Sequence, residues 1–239
     1  MAKTKIDPHL VALTSPGSFA AEQYQGLRLT IERLRRGRTL QVIAVTSPAA
    51  GEGKTLTAIN LAGALARGGD NTRVLLVDAD LRRPAIARQL ALDPTERGLT
   101  EVVENPAITL DRVTQTLKPF SHLSILTAGN RNGAVHHVLR SPRLDVVLAE
   151  ARQRYDFVVL DTPPLLPVFD SALLANAVDG VLMVVAANQT PRKLLGEALN
   201  MLDPAKVLGI VFNRDSKPMF GYYDAYYKDY FPEQMATEA

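Results

Sequence analysis

The chain has 239 residues, 46% of them hydrophobic, with a formal net charge of +2 and no cysteine. That length suits one α/β domain with a full core. Interspersed charges of both signs argue against a nucleic-acid binder. Without thiols there are no disulfides and no thiolate metal sites, which fits a reducing compartment.

Residues 1–20, with Pro8, Pro16 and Gly17, read as an extended segment. Tyr24, Leu27, Ile31 and Leu34 then mark one face of a helix over residues 21–38. Its basic run, Arg33, Arg35, Arg36 and Arg38, reads as a solvated helix end rather than an anionic docking patch. Six apolar runs follow: Leu40–Val45, Val74–Val77, Leu123–Leu126, Phe157–Leu160, Val181–Ala187 and Val207–Phe212. They lack polar alternation, as strands buried on both faces do. Helical stretches at Leu56–Arg67, Ser141–Arg154 and Pro191–Leu202 lie between them. The alternation predicts a doubly wound, mostly parallel α/β sheet with helices on both faces, and ligands at the carboxyl ends of its strands. No apolar run approaches the roughly 18 residues needed to cross a bilayer. With no leader visible at Met1–Leu10, the chain is expected to be cytoplasmic unless it was cut from a larger membrane protein.

The first strand runs into Thr46-Ser47-Pro48-Ala49-Ala50-Gly51-Glu52-Gly53-Lys54-Thr55, and a helix follows. Glycines there let backbone N–H groups close on phosphate oxygens at a positive helix N-terminus. The loop Ala50, Gly51, Glu52, Gly53, Lys54, Thr55 and Leu56 is therefore expected to bind a nucleoside triphosphate such as ATP. Lys54 would reach the outer phosphates and the Thr55 hydroxyl would bind Mg²⁺. Pro48 stands where the full Walker pattern has glycine. The strand before and the helix after carry the assignment.

Two aspartate motifs close later strands, Asp78-Ala79-Asp80-Leu81-Arg82-Arg83-Pro84 and Asp161-Thr162-Pro163-Pro164. Buried carboxylates need a cation nearby, and a Mg²⁺ held by triphosphate and Thr55 would serve both motifs. Asp161 suits a water-mediated metal contact. Asp78 and Asp80 could hold metal-bound water or take a proton from an attacking hydroxyl. Arg82 and Arg83 serve a phosphate, a neighbouring subunit or surface salt bridges. Asn213 ends the last strand, where its amide either reads a base edge or makes a turn. Asn60 reads as a packing or supporting residue. His136 and His137, with no carboxylate or histidine at ligand spacing, read as loop or helix-start residues.

Five of the seven tyrosines, Tyr222, Tyr223, Tyr226, Tyr227 and Tyr230, fall within nine residues near the C-terminus. The intervening Asp224, Lys228 and Asp229 are too polar for a core strand. Residues 220–239 are therefore expected to be a mobile tail, set apart from a nucleotide-binding domain over residues 21–219. Each phosphorylated phenol would add about −1.5 to −2 charges, enough for an assembly switch.

Together these features resemble the bacterial protein-tyrosine kinases (BY-kinases) of capsule and exopolysaccharide export. The family's Walker A loop is matched by Gly51–Thr55, its Asp-x-Asp-x-Arg motif by Asp78–Arg82, its Walker B motif by Asp161–Pro164, and its tyrosine cluster by Tyr222–Tyr230. The resemblance implies autophosphorylation of the tail in trans, with catalysis by Lys54, Asp78, Asp80 and Asp161 and with Mg²⁺ on Thr55, Asp80 and Asp161. It further implies a separate transmembrane polysaccharide co-polymerase as activator, which would recruit the protein to the inner face of the membrane, and a cognate tyrosine phosphatase. A homo-oligomer, ring or dimer, would form through the 21–38 helix. Family members often carry Glu-x-x-Arg-x-x-Arg there, whereas this chain has Glu22, Gln25 and Arg28, so one guanidinium is replaced by an amide. The rival readings are a nucleotide-switched ATPase of the partition or cell-division type and an inert nucleotide-binding scaffold. The first expects a lysine where Ala49 stands, and the second has no use for intact Lys54, Asp78, Asp80 and Asp161.

Overall fold

A computed structural model describes residues 6–69, 71–92, 97–130 and 135–215. The helices are α1 (Val11–Thr14), α2 (Phe19–Arg35), α3 (Lys54–Ala66), α4 (Ile86–Gln89), α5 (Leu99–Glu104), α6 (Leu110–Val113), α7 (Val135–Arg140), α8 (Pro142–Arg154), α9 (Asp170–Ala177) and α10 (Arg192–Leu199). The strands are β1 (Val42–Thr46), β2 (Val74–Asp78), β3 (Thr114–Thr116), β4 (Leu123–Leu126), β5 (Phe157–Asp161), β6 (Gly180–Ala186) and β7 (Val207–Asn213). They form one sheet in the order β3-β4-β2-β5-β1-β6-β7. Every pairing is parallel except β3 with β4. This is the doubly wound α/β architecture that the apolar runs predict, and all six runs fall on strands.

Strand alternation splits the core into two layers. On one face Ile43, Val45, Leu76, Val159 and Val184 pack with Leu10, Ile31, Ile59, Leu61 and Leu65 from the N-terminal helices and α3. On the other, Val42, Ala44, Val77, Val158 and Met183 pack with residues of α5 to α10. Helices on both faces bury the central strands completely. The polar, part-exposed β3 lies at one edge, and β7 at the other is only half-covered, with Phe212 65% exposed.

The expectation of an extended segment over residues 1–20 is corrected within its described part. α1 lies inside it and α2 already starts at Phe19. Leu10, Ala12 and Leu13 are buried, and burial of these side chains against α3 outweighs the short helix's weak intrinsic stability. Gly63 permits the contact: a Cβ there would lie 2.8 Å from Leu13 Cδ2. Asn60 clamps the segment, accepting from the Ala12 N–H at 2.9 Å and donating to the His9 carbonyl at 3.0 Å. It is thus a supporting residue, as its sequence context suggests. Within α2, Arg28 donates to Gln25 and pairs with Glu32, both at 2.8 Å. No described helix is long and apolar enough to cross a membrane. The tail tyrosines, Tyr222 to Tyr230, lie outside the described residues.

Candidate active site

The carboxyl end of β1 turns through residues 47–53 into α3. Gly51 and Gly53 adopt φ +85° and +90°, a left-handed backbone that glycine alone takes without strain. Lys54 and Thr55 open α3 beside the carboxyl ends of β2 and β5. Those two strands run in register with Asp78 opposite Asp161, and this brings both carboxylates to one spot about 5 Å apart in backbone spacing.

The side chains converge there. Lys54 Nζ lies 2.9 Å from Asp80 Oδ2 and 3.5 Å from Asp161 Oδ1, and Thr55 Oγ1 donates to Asp161 Oδ2 at 2.7 Å. Asp78 Oδ2 accepts from the Ala85 and Ile86 N–H groups, each at 3.0 Å, while the buried Asp78 Oδ1 has no partner. Asp80 Oδ1 accepts from the Arg83 N–H at 3.0 Å. Two of the three buried carboxylates, Asp80 and Asp161, therefore share one ammonium, and Asp78 stands beside them on backbone donors alone.

The electrostatics follow from that imbalance. Burial, then the charge of Asp161, pushes Asp78 up to about 7, against the pull of its two backbone donors. Burial likewise raises Asp161 to about 6, opposed by Lys54 and Thr55. Burial disfavours the Lys54 ammonium, but Asp161 and Asp80 outweigh it and hold the group above its usual range. Excess buried negative charge with an unpartnered carboxylate oxygen suits a hard divalent cation. Among the described residues no three carboxylate or histidine side chains form a complete cage. Mg²⁺ needs none, since it commonly takes one or two carboxylates together with substrate phosphates and water.

Other predicted residues lie at the flanks. Asn213 Nδ2 donates to the Glu52 carbonyl at 2.9 Å, bracing the loop from β7. The Glu52 side chain is buried, and burial raises its pKa while a hydrogen bond from Thr190 opposes the rise. Arg82 makes an ion pair with Asp170, whose side chain is fully buried, so it is not the surface salt bridge among its sequence alternatives. His136 stands in α7 next to that pair, 3.4 Å from Asp170. Asp170 was not singled out in the sequence: an isolated aspartate nine residues after Asp161 gives no signal of its complete burial.

A family described as the AAA domain matches residues 40–204. The tyrosine-protein kinase YwqD of Bacillus subtilis is 33% identical over 236 residues, spanning 97% of both chains. This chain belongs to the bacterial tyrosine-protein kinases. The kinase also superimposes on the kinase domain of the Escherichia coli tyrosine kinase ETK, with a TM-score of 0.78, 25% identity, and coverage of 91% of this chain and 86% of that one. The succinoglycan biosynthesis transport protein ExoP of Rhizobium meliloti is 31% identical over 247 residues. That match takes in 95% of the kinase but only 30% of ExoP. As a member of this family the chain is a protein-tyrosine kinase, and its fold implies nucleotide binding.

Proposed function

We propose that the kinase transfers the γ-phosphoryl group of ATP to its own tyrosine cluster, Tyr222, Tyr223, Tyr226, Tyr227 and Tyr230, in trans between subunits. The supporting observation is the packing of Asp78, Asp80 and Asp161 around Lys54 and Thr55 at the strand ends, with one carboxylate oxygen left unpaired. The backbone of Ala50 to Leu56 cradles the phosphates. Lys54 leaves Asp80 and Asp161 and neutralises charge on the β- and γ-phosphates. Thr55, Asp80 and Asp161 hold Mg²⁺, which supplies charge neutralisation at the phosphates. Asp78, raised to about 7, accepts the phenolic proton as the tyrosine oxygen attacks phosphorus and ADP departs. A base with a pKa near the working pH is best matched to that task. Asn213, through its bond to the Glu52 carbonyl, keeps the phosphate loop in shape from β7.

The relatives support a biological setting for this activity. ExoP carries a homologous segment within a succinoglycan transport protein, so we assign this kinase to exopolysaccharide synthesis and export. Its partners on this reading are a separate membrane co-polymerase that recruits it to the inner face of the membrane, further copies of itself packed through residues 21–38, and a tyrosine phosphatase that resets the tail.

Incubation with labelled Mg-ATP and mapping of phosphotyrosine by mass spectrometry tests the reading. Label is expected on the tail of the wild type and is expected to fall at least about 100-fold in Lys54→Met. Full-length Lys54→Met should regain label when mixed with an active chain lacking the tail. Free phosphate without protein label would instead support a switch ATPase, and no turnover an inert scaffold.

A further inference from the structure

Asp170 is fully buried, yet the phosphoryl-transfer chemistry above makes no use of it. It opens α9, an element separate in sequence from both aspartate loops. Its Oδ2 accepts from Arg82 Nε at 2.5 Å and its Oδ1 from Arg82 Nη2 at 3.4 Å. A third group completes the cluster. Arg82 Nη2 lies 3.1 Å from His136 Nε2, and because a guanidinium only donates, that nitrogen accepts. The ring proton then sits on Nδ1, facing Asp170 Oδ1 at 3.4 Å.

The backbone around Asp170 is itself pinned to the loop after β5. Ser171 Oγ donates to the Pro163 carbonyl, and Thr46 Oγ1 donates to the same oxygen at 2.9 Å. Arg82 rises from the loop after β2, two residues beyond Asp80. The Arg82–Asp170 pair is thus a side-chain tie between the loop that carries Asp80 and the loop that follows Asp161.

The described ties on Asp80 show why such a link matters. Its carboxylate is held by Lys54 and by the Arg83 N–H of its own turn. When Lys54 turns to phosphate, the first is lost and the second moves with the loop. The Ala79 N–H still bonds the Asp161 carbonyl at 2.9 Å, but the Asp80 side chain beyond that bond is freed, and repulsion from the Asp161 carboxylate favours its separation. We propose that Asp170 is a positioning residue: through Arg82 it holds Asp80 in register with Asp161 once Lys54 has swung to the nucleotide. His136 caps the guanidinium from the solvent side and restricts its rotation.

This inference rests on the proposed roles of Asp80 and Asp161, and its test is built to fail separately from them. The full chain is assayed for tail labelling and total ATP turnover across ATP concentrations, and its melting is recorded in parallel. Asp170→Asn is expected to lower kcat about 10-fold or more, as a small misplacement of a reacting group does, while KM for ATP stays within about 2-fold. Arg82→Ala should do the same, Arg82→Lys should recover part of the loss, and the Arg82→Ala/Asp170→Asn double variant should be no slower than Arg82→Ala alone, because the pair acts as a unit. His136→Ala, at an exposed position, should cost about 3-fold or less in kcat. A full-speed Asp170→Asn overturns the inference. So does a loss confined to KM, losses that multiply in the double variant, or a loss that matches the unfolded fraction at the assay temperature. The site of label in the wild type tests the proposed function independently of these ratios.

Discussion

The loop over residues 46–55 is braced at two ends by contrasting means. At one end, three buried carboxylates crowd together and only Asp80 and Asp161 reach the one ammonium, which leaves Asp78 without an ion-pair partner. At the other, Asn213 gives a neutral hydrogen bond to a backbone carbonyl from a half-exposed edge strand. The first end is electrostatically incomplete, so it has a strong preference for a cation and is set up for chemistry. The second is satisfied as it stands and can only hold shape. Substitutions that change charge should therefore act strongly at the carboxylate end, and substitutions that change contacts should act weakly at the β7 end.

The largest effect is expected from Asp161→Asn. It leaves an amide oxygen to accept from Thr55 but removes one of the two ion-pair partners of Lys54 and one charge of the proposed cation site. Tail labelling should fall about 100-fold or more, in line with loss of a preorganised electrostatic group. Activity within tenfold of wild type would erase the distinction between the two ends.

Asp78 sharpens the contrast because its effect on stability should oppose its effect on activity. Its native pKa of about 7 exceeds the ordinary value of 3.8. Between those values the native state binds more protons than the unfolded chain, so stability falls as pH rises from about 4 to about 7. Asp161, at about 6, adds to the same slope. The nucleotide-free kinase should melt lower at pH 8 than at pH 5, and Mg-ATP should flatten that dependence. Asp78→Asn can keep its carbonyl oxygen on the Ala85 and Ile86 N–H groups without the charge. At pH 8 it should stabilise the nucleotide-free protein by about 2 kcal/mol while lowering tail label by a smaller factor than Asp161→Asn does. A destabilised Asp78→Asn protein at pH 8 would show that the carboxylates are already compensated.

Gly53→Ala probes the junction of the two ends. Its φ of +90° strains any side chain, and a Cβ would lie 2.0 Å from Asn213 Nδ2. A loss of about 1–2 kcal/mol is expected, or about 2–8 °C in melting temperature for a domain of this size. An unchanged melting curve would mean that the loop relaxes freely.

The two ends also differed in how far the sequence disclosed them. Val, Ile and Leu runs marked all six parallel strands, because strands buried on both faces leave no room for polar alternation. Lys54, Thr55, Asp78, Asp80 and Asp161 were visible because each stands at the end of such a run, where topology alone brings them together. β3 was not, since Thr114, Gln115 and Thr116 form a short polar edge with no apolar period. α1 was hidden by Pro8 and Pro16, whose local preference for extended chain yields to burial of Leu10, Ala12 and Leu13 against Gly63. Asp170 was missed for a deeper reason: a partner for Arg82 some 88 positions away is fixed by the packing of α9 on the sheet, which no local pattern encodes. The Asn213 amide was correctly placed at a strand end, but its contact with the Glu52 carbonyl depends on the approach of β7 to the loop.

That contact gives the smallest expected effect and the finest test of the comparison. Asn213→Ala deletes one neutral hydrogen bond at a part-buried site, so the loss should be about 1 kcal/mol. Loop geometry should loosen only slightly, with a few-fold rise in KM for ATP and little change in kcat. The same deletion removes the Asn213 Nδ2 atom that crowds a Cβ at position 53. The Gly53→Ala/Asn213→Ala double variant should therefore lose less stability than the two single losses added together, because only the strained backbone remains. Strict additivity in thermal melts would show that the two residues do not meet. A kcat loss in Asn213→Ala as large as that of Asp161→Asn would show that the neutral end takes part in the chemistry after all.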